Sequence, residues 1–455
     1  MTIKTIILAA GQGTRMRSAK PKVLHKIAEK SLLEHVCAMS SQLTDNQTVV
    51  VYGHGGEQVL TALAHLDLNW VEQVEQLGTG HAVQQAVTYI DDDDTVLILY
   101  GDVPLLKLAT VEKLLADVKS DVLSLLTVTL DNPFGYGRII RGAQNKVTRI
   151  VEQKDANDIE QLINEGNTGI LAVNGGCLKN WLNNLQSNNA QQEYYLTDVI
   201  EMAVADGVSI ATSQPTEVSE VLGINNRQQL SELERVYQYQ QAERLMESGV
   251  TLRDPKRFDL RGTLTTGEDV EIDINVIFEG NNILGNNVVI GANCLLRDAV
   301  IADNVEILAN SIIDNARVGA GSRIGPFARL RPQAELADNV HIGNFVEIKK
   351  SQIASGSKVN HLSYIGDAII GSGVNIGAGT ITCNYDGVNK FQTIIEDGAF
   401  IGSDTQLIAP VTVGKNATIG AGSTITKNTP ENQLTLTRSK QLSIAAWQRP
   451  LKKEE

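Results

Sequence analysis

The chain reads as an α/β domain followed by a parallel β-helix of triangular coils, with a helix joining the two. Three observations point there. In the first half, apolar strand-like runs alternate with helical patterns, beginning at residues 3–10 and a Gly11-Gln12-Gly13 loop. Residues 228–248 contain no Gly or Pro and place Leu230, Leu233, Val236, Leu245 and Met246 at roughly helical spacing. The second half keeps a six-residue beat: Val318, Ile324, Leu330, Leu336, Ile342 and Ile348, then Ile353, Val359 and Ile365, then Ile370, Ile376 and Thr382. After an interruption it resumes at Ile401, Leu407, Val413, Ile419 and Ile425, and Gly follows many of these aliphatics directly. Neither the helical nor the strand period sustains such a run, whereas a coil that turns a corner every six residues does.

Residues 3–10 form a buried strand that empties into Gly11-Gln12-Gly13-Thr14-Arg15-Met16. Glycine has no Cβ, so this loop lets backbone N–H groups approach an anion. A dinucleotide fingerprint would want a third glycine where Met16 stands, and a Walker A loop would want Gly-Lys-Ser/Thr. A tight structural turn and a phosphate cradle both remain open. Arg15 and Lys22, the latter in Pro21-Lys22, are fixed cations suited to a triphosphate.

Downstream, strands at residues 48–52, 69–74 and 95–100 alternate with a helix from about Glu57 and another opened by Gln76-Leu77-Gly78-Thr79-Gly80. The last strand ends in Gly101-Asp102. An Asp at the carboxyl end of a buried parallel strand faces the crevice where open α/β sheets bind ligands. It is either a helix cap or a magnesium ligand. Three short clusters follow, around Gly137, Glu152 and Asn167, each readable as a turn or as part of a site. Tyr194-Tyr195-Leu196-Thr197-Asp198 introduces a helix, and Gly223-Ile224-Asn225-Asn226-Arg227 closes the unit.

With 455 residues the chain exceeds one ordinary core, and two or more domains are expected. A formal charge of -14 argues against a general nucleic-acid or anionic-membrane binder and leaves small molecules as the expected partners. Cys37, Cys177, Cys294 and Cys383 are too scattered for a zinc pattern or a disulfide framework and read as free thiols. The N-terminal apolar run is too short to span a membrane and lacks a signal-peptide cleavage pattern, so membrane insertion is not expected and a cytoplasmic location is.

Leu8-Ala9-Ala10-Gly11-x-Gly13-Thr14-Arg15-Met16 with Pro21-Lys22 resembles the sugar-nucleotidyltransferase signature, and the six-residue beat resembles hexapeptide acyltransferases. In this order and over essentially the whole chain, they resemble the bacterial bifunctional UDP-N-acetylglucosamine pyrophosphorylase and glucosamine-1-phosphate N-acetyltransferase family. The resemblance implies a Rossmann-like nucleotidyltransferase domain over 1–227, a linker helix over 228–248, and a β-helix acetyltransferase domain with a C-terminal tail over 249–455. It also supplies a left-handed coil, an exception to the usual crossover hand. The implied activities are acetylation of glucosamine 1-phosphate by acetyl-CoA, then uridylyl transfer from UTP to N-acetylglucosamine 1-phosphate. The product, UDP-N-acetylglucosamine, serves peptidoglycan and lipopolysaccharide precursor synthesis.

For the first site, the resemblance implies that the loop from Leu8, Ala9 and Ala10 through Gly11, with Arg15 and Lys22, holds the UTP phosphates. Gln73, Gly78 and Thr79 match uracil and ribose contacts, and Tyr100 and Gly101 line the same pocket. Asp102 and Asn225 match Mg²⁺ ligands, while Gly137, Glu152 and Asn167 match contacts to N-acetylglucosamine. For the second site, His361 is the expected base, since an imidazole can be neutral near neutral pH and take a proton from an attacking amine. Glu347 is the expected orienter of its ring. Arg331, Lys349 and Tyr364 match sugar-phosphate contacts. Asn375, Ala378, Asn384, Tyr385, Ser403, Ala421 and Arg438 match further substrate and acetyl-CoA contacts. The loop after Thr382 is implied to reach a neighbouring subunit of a homotrimer. Two departures from the family pattern stand out: Ala28-Glu29-Lys30-Ser31 replaces a Gly-Lys-Pro turn, and Gln333 follows Pro332 where Gly is usual.

Two rival readings share much of this sequence. Other sugar-nucleotide pyrophosphorylases carry a β-helix tail that only assembles or regulates, and a β-helix can be a scaffold with an incidental histidine. The joint presence of His361, Tyr364, Asn384, Tyr385 and Arg438 separates a catalytic tail from both.

Overall fold

The computed structural model describes residues 2–450. The chain divides into two compact units, Met1–Tyr237 and Gln238–Glu455. A helix, Arg227–Glu247, runs across the division.

The first unit is built on a nine-stranded sheet. Its strands are β1 (Ile3–Ala9), β2 (Asn46–Tyr52), β3 (Asn69–Glu72), β4 (Thr95–Tyr100), β5 (Val122–Thr129), β6 (Arg138–Arg141), β7 (Val147–Val151), β8 (Glu165–Asn174) and β9 (Ser209–Ser213). The main order is β9-β5-β8-β4-β1-β2-β3, and β6 joins β8 to β7. β1 runs parallel to β2 and β4, whereas β8 is antiparallel to β4 and β5. Alternate residues of β1 enter different cores: Ile6 and Leu8 pack with Ile98 and Leu182, Ile7 and Ala9 with Leu33 and Leu99. A strand covered on both faces has no polar side, which is why residues 3–10 read as one apolar run.

The departure at Ala28-Glu29 leaves its turn intact. Lys26–Ile27 pairs antiparallel with Lys30–Ser31, and Ala28 and Glu29 both take positive φ, 47° and 68°. A two-residue hairpin demands this geometry and usually fills it with Gly or Asn. Glu234 Oε2 accepts from Ala28 N–H at 3.0 Å and holds the turn.

The second unit is a parallel β-helix. Ile324 pairs with Ile342, Ile342 with Val359, Val359 with Ile376, and Ile376 with Ile401. Most successive coils are 17 or 18 residues apart, stretching to 25 across the loop that follows Cys383 and closing to 16 at the last coil. Every residue of the six-residue beat named above lies in the buried stack, including Thr382. The stack also takes in Ile395, so the beat resumes one step before Ile401, and it extends upstream through Phe278 and Phe258. At roughly 1.5–3 kcal/mol for each fully buried aliphatic, this column is the main source of the coil's stability. Corners are turned by residues with positive φ, many of them Asn, which tolerates that region. Asn275, Asn293 and Asn310 also bond side chain to side chain along one corner, at 3.0 and 3.2 Å. Gln333 stands at such a corner with φ 65°, without the freedom a glycine would give it. Among the described residues no helix is long and apolar enough to cross a membrane.

Candidate active sites

β1 and β4 are adjacent and parallel, with Leu8 opposite Tyr100, so the loops after Ala9 and Tyr100 leave the sheet side by side. Between them lies a cleft of about 520 Å³, lined by Leu8, Ala9, Ala10, Gly11, Lys22, Gln73, Gly78, Thr79, Tyr100 and Asp102. Gly101 is not among the lining residues; its N–H donates to Leu8 O at 2.9 Å. The two loop glycines serve different ends. A Cβ on Gly13 would stand 2.6 Å from Lys22 Cβ, so Gly13 lets the lysine stem pack close, while Gly11 has open space around it. Gly13 thus serves close packing of the turn, and Gly11, two residues earlier, faces open space.

Four polar side chains converge at the mouth of this cleft. Lys22 Nζ lies 2.5 Å from Asp102 Oδ2 and 3.2 Å from Asn225 Oδ1, and Arg15 Nη2 donates to the same Asn225 oxygen at 3.0 Å. On the opposite wall, buried Gln73 donates to Gly78 O at 3.1 Å, and Thr79 Oγ1 accepts from Leu196 N–H at 3.1 Å. Gln12, Val23, Gln76, Ala82 and Glu193 line the cleft as well. None of these differs in type from an ordinary loop or helix residue, so the sequence alone does not mark them as site residues.

Gly137, Glu152 and Asn167 form one cluster. Asn167 N–H donates to Gly137 O at 2.8 Å, and a Cβ on Gly137 would lie 3.3 Å from Glu152 Oε1. Thr197, which the sequence did not single out as a site residue, donates to Glu152 Oε1 at 3.2 Å. Burial raises the Glu152 carboxyl above its ordinary range. Burial also raises neighbouring Asp198, helped by Glu201, Glu152 and Asp155, to about 6. An acid raised on folding binds more protons in the folded state, so stability is lost as pH rises from the ordinary carboxylate range through about 6. Asp198→Asn removes that loss. After discounting for partial exposure, we expect the variant to be more stable by about 1 kcal/mol near neutral pH. Urea unfolding should show the advantage shrinking towards zero near pH 4, and an advantage that grew on acidification would contradict the assignment.

In the second unit the site arises from stacking. Along one outward column Arg261 pairs with Glu279, Glu279 with Arg297, and Arg297 with Asp314, alternating in sign. Their ion pairs span 3.2, 2.5 and 3.5 Å. The column continues to Arg331 and Lys349, which directly follow the register partners Leu330 and Ile348. There the alternation fails and two cations occupy consecutive coils. Like charges so placed repel, and an anion between them reverses the sign. The next position, opposite Lys349, is Gly366, and the Tyr364 hydroxyl lies over it. Arg331, Lys349 and Tyr364 are thus together.

His361 lies opposite Asn344, and its Nδ1 is 2.9 Å from Asn344 Oδ1. Glu347 does not fill the orienting part expected of it. Its carboxylate is held by Arg331 at 2.9 Å and Arg329 at 3.7 Å. The stronger field of two guanidiniums claims the carboxylate, and a neutral amide is left for the ring. The same corner continues along the coil: Gly379 N–H bonds His361 O, Asp404 N–H bonds Ala378 O, and Gly422 N–H bonds Ser403 O, at 3.2, 2.7 and 2.8 Å. Ala378, Ser403 and Ala421 therefore share one edge, and the Arg438 side chain lies against Gly422. Asn375 stands on the adjoining flat, between Lys358 and Phe400. Asn384 is buried and donates to Asp367 Oδ2 at 2.5 Å, whereas Tyr385, beside it, is exposed.

Comparison with known proteins finds three family models along the chain. The MobA-like NTP transferase domain matches residues 5–251, the GMPPB C-terminal domain residues 260–341, and six bacterial transferase hexapeptide repeats residues 392–427. The "Bifunctional protein GlmU" of Methylococcus capsulatus is 64% identical over 453 residues, spanning 99% of this chain and 98% of that protein. Its namesake from Marinobacter nauticus is 58% identical over 450 residues, spanning 99% of each. Both relatives match over 99% of this chain, so the chain belongs to the GlmU family of bifunctional enzymes, a uridylyltransferase in its first unit and an N-acetyltransferase in its second.

Proposed function

We propose that the first unit's cleft binds UTP with its phosphates against Gly11, Arg15 and Lys22, and that Gly137, Glu152 and Asn167 hold N-acetylglucosamine 1-phosphate beside it. The convergence of Arg15, Lys22, Asp102 and Asn225 supports this reading most. The sugar phosphate oxygen attacks the α-phosphorus, a new P–O bond forms, and the bond to the β-phosphate breaks to release pyrophosphate. The protein's task is to align these groups and neutralise charge, which needs no covalent nucleophile. Gln73, Gly78 and Thr79 form the wall for the uracil and ribose. Asp102 and Asn225 offer one carboxylate and one amide oxygen, hard donors that suit Mg²⁺ when phosphates and water complete its shell. When bound, the ion neutralises phosphate charge.

In the second unit, Arg331, Lys349 and Tyr364 receive the phosphate of glucosamine 1-phosphate. His361 takes the proton of its amine as nitrogen attacks the thioester carbonyl of acetyl-CoA, and the CoA thiolate leaves. With the Asn344 oxygen facing Nδ1, that nitrogen carries the proton and Nε2 is free to act as base. The edge formed by Ala378, Ser403, Ala421 and Arg438 receives acetyl-CoA, with Asn375, Asn384 and Tyr385 at its side. Val388 and Tyr385 are 83% and 58% exposed on the loop after Cys383, which supports a contact with a second copy and assembly as a homotrimer. Location in the cytoplasm fits the substrates. One incubation tests the whole reading: with glucosamine 1-phosphate, acetyl-CoA, UTP and Mg²⁺, free CoA should precede pyrophosphate. Pyrophosphate formed only from a different sugar phosphate, with no CoA, would favour an assembly tail.

A further inference from the structure

Arg138 is buried, yet no carboxylate pairs with it among the described residues. Its guanidinium is spent on a turn. Nη2 donates to Gln153 Oε1 at 2.8 Å, and Nη1 donates to the backbone carbonyl of Tyr136. Gln153 Oε1 also accepts from Gly135 N–H at 3.0 Å, while Arg138 Nε is buried without a partner. Burying a charge without a counter-ion is unfavourable, and an ordinary β-strand gains nothing from it.

What the arrangement fixes is the segment 135–137 relative to the strand end at 152–153. Gly137 on that segment packs against Glu152 and accepts from Asn167 N–H. A shift of the turn would therefore move the sugar contacts, and it would leave Gln73, Gly78 and Thr79 where they are.

We propose that Arg138 is a positioning residue for the sugar-phosphate half of the uridylyl site, acting through the Gly135-Tyr136-Gly137 turn and Gln153. This rests on the reading of Gly137, Glu152 and Asn167 given above. Arg138→Met should raise KM for N-acetylglucosamine 1-phosphate by about 10-fold or more, the scale of losing a supporting contact, with KM for UTP nearly unchanged. Gln153→Leu removes the same clamp from a part-exposed position and should reproduce the split if Arg138→Met does not fold. The double variant should be no worse than the poorer single one, because both cut one unit. Unchanged constants, or an equal rise in both KM values, in the folded variants overturns the proposal. Wild-type protein that turns over no N-acetylglucosamine 1-phosphate would instead overturn the reading beneath it, so the two failures are distinct.

Discussion

Replacing His361 with alanine is expected to lower the rate of acetyl transfer by about 10²–10⁴-fold, the usual worth of a positioned general base. Uridylyl transfer should stay near its wild-type rate. His361 is exposed at the end of its strand, so the substitution removes no core contact, and among the described residues the only side-chain hydrogen bond lost is the one to Asn344. The two activities are read from one preparation: CoA release for the second unit, pyrophosphate release for the first. Equal loss of both would sink the division of labour. Acetyl transfer that survived would leave His361 a scaffold residue, as the rival reading of the β-helix holds.

Asp102→Ala is expected to do the reverse, cutting uridylyl transfer by about 10²–10³-fold, the scale of removing one electrostatic contact to the reacting groups. CoA release should be untouched. The variant also strands Lys22, whose ammonium sits 2.5 Å from the lost carboxylate with its side chain 14% exposed. A thermal melt should accompany the assay, so that rate is compared per folded molecule. Titration with Mg²⁺ at fixed UTP is the sharper measurement. A variant that keeps the wild-type dependence on Mg²⁺ and its turnover would remove Asp102 from the metal's shell.

The family is set by its signature loop and its beat, and the particular pairs are not. Glu347 shows the limit. It is near His361 in sequence and chemically suited to orient the ring, but Arg331 and Arg329 stand on the preceding coil and hold its carboxylate. Asn344, whose amide drew no notice in the sequence, meets the ring because coil register puts it opposite. The first site has the same character: Arg15 and Asn225 are 210 residues apart and share a hydrogen bond.

By itself the sequence determined which side chains face inward. Burial in a six-residue coil selects apolar or small residues, mostly aliphatic, at each turn, and the requirement is strong enough to be visible as a period. It also marked the loops at the ends of β1 and β4 by their glycines, Gly11, Gly13 and Gly101. Only the tertiary structure decided which outward side chains meet, because outward positions carry no burial constraint and therefore no period. Their neighbours are set by the coil length, mostly 17 or 18 residues with one stretch to 25 and a last coil of 16. The column of alternating charge that breaks at Arg331 and Lys349, and the clamp that Arg138 makes on its turn, exist only once the chain has folded.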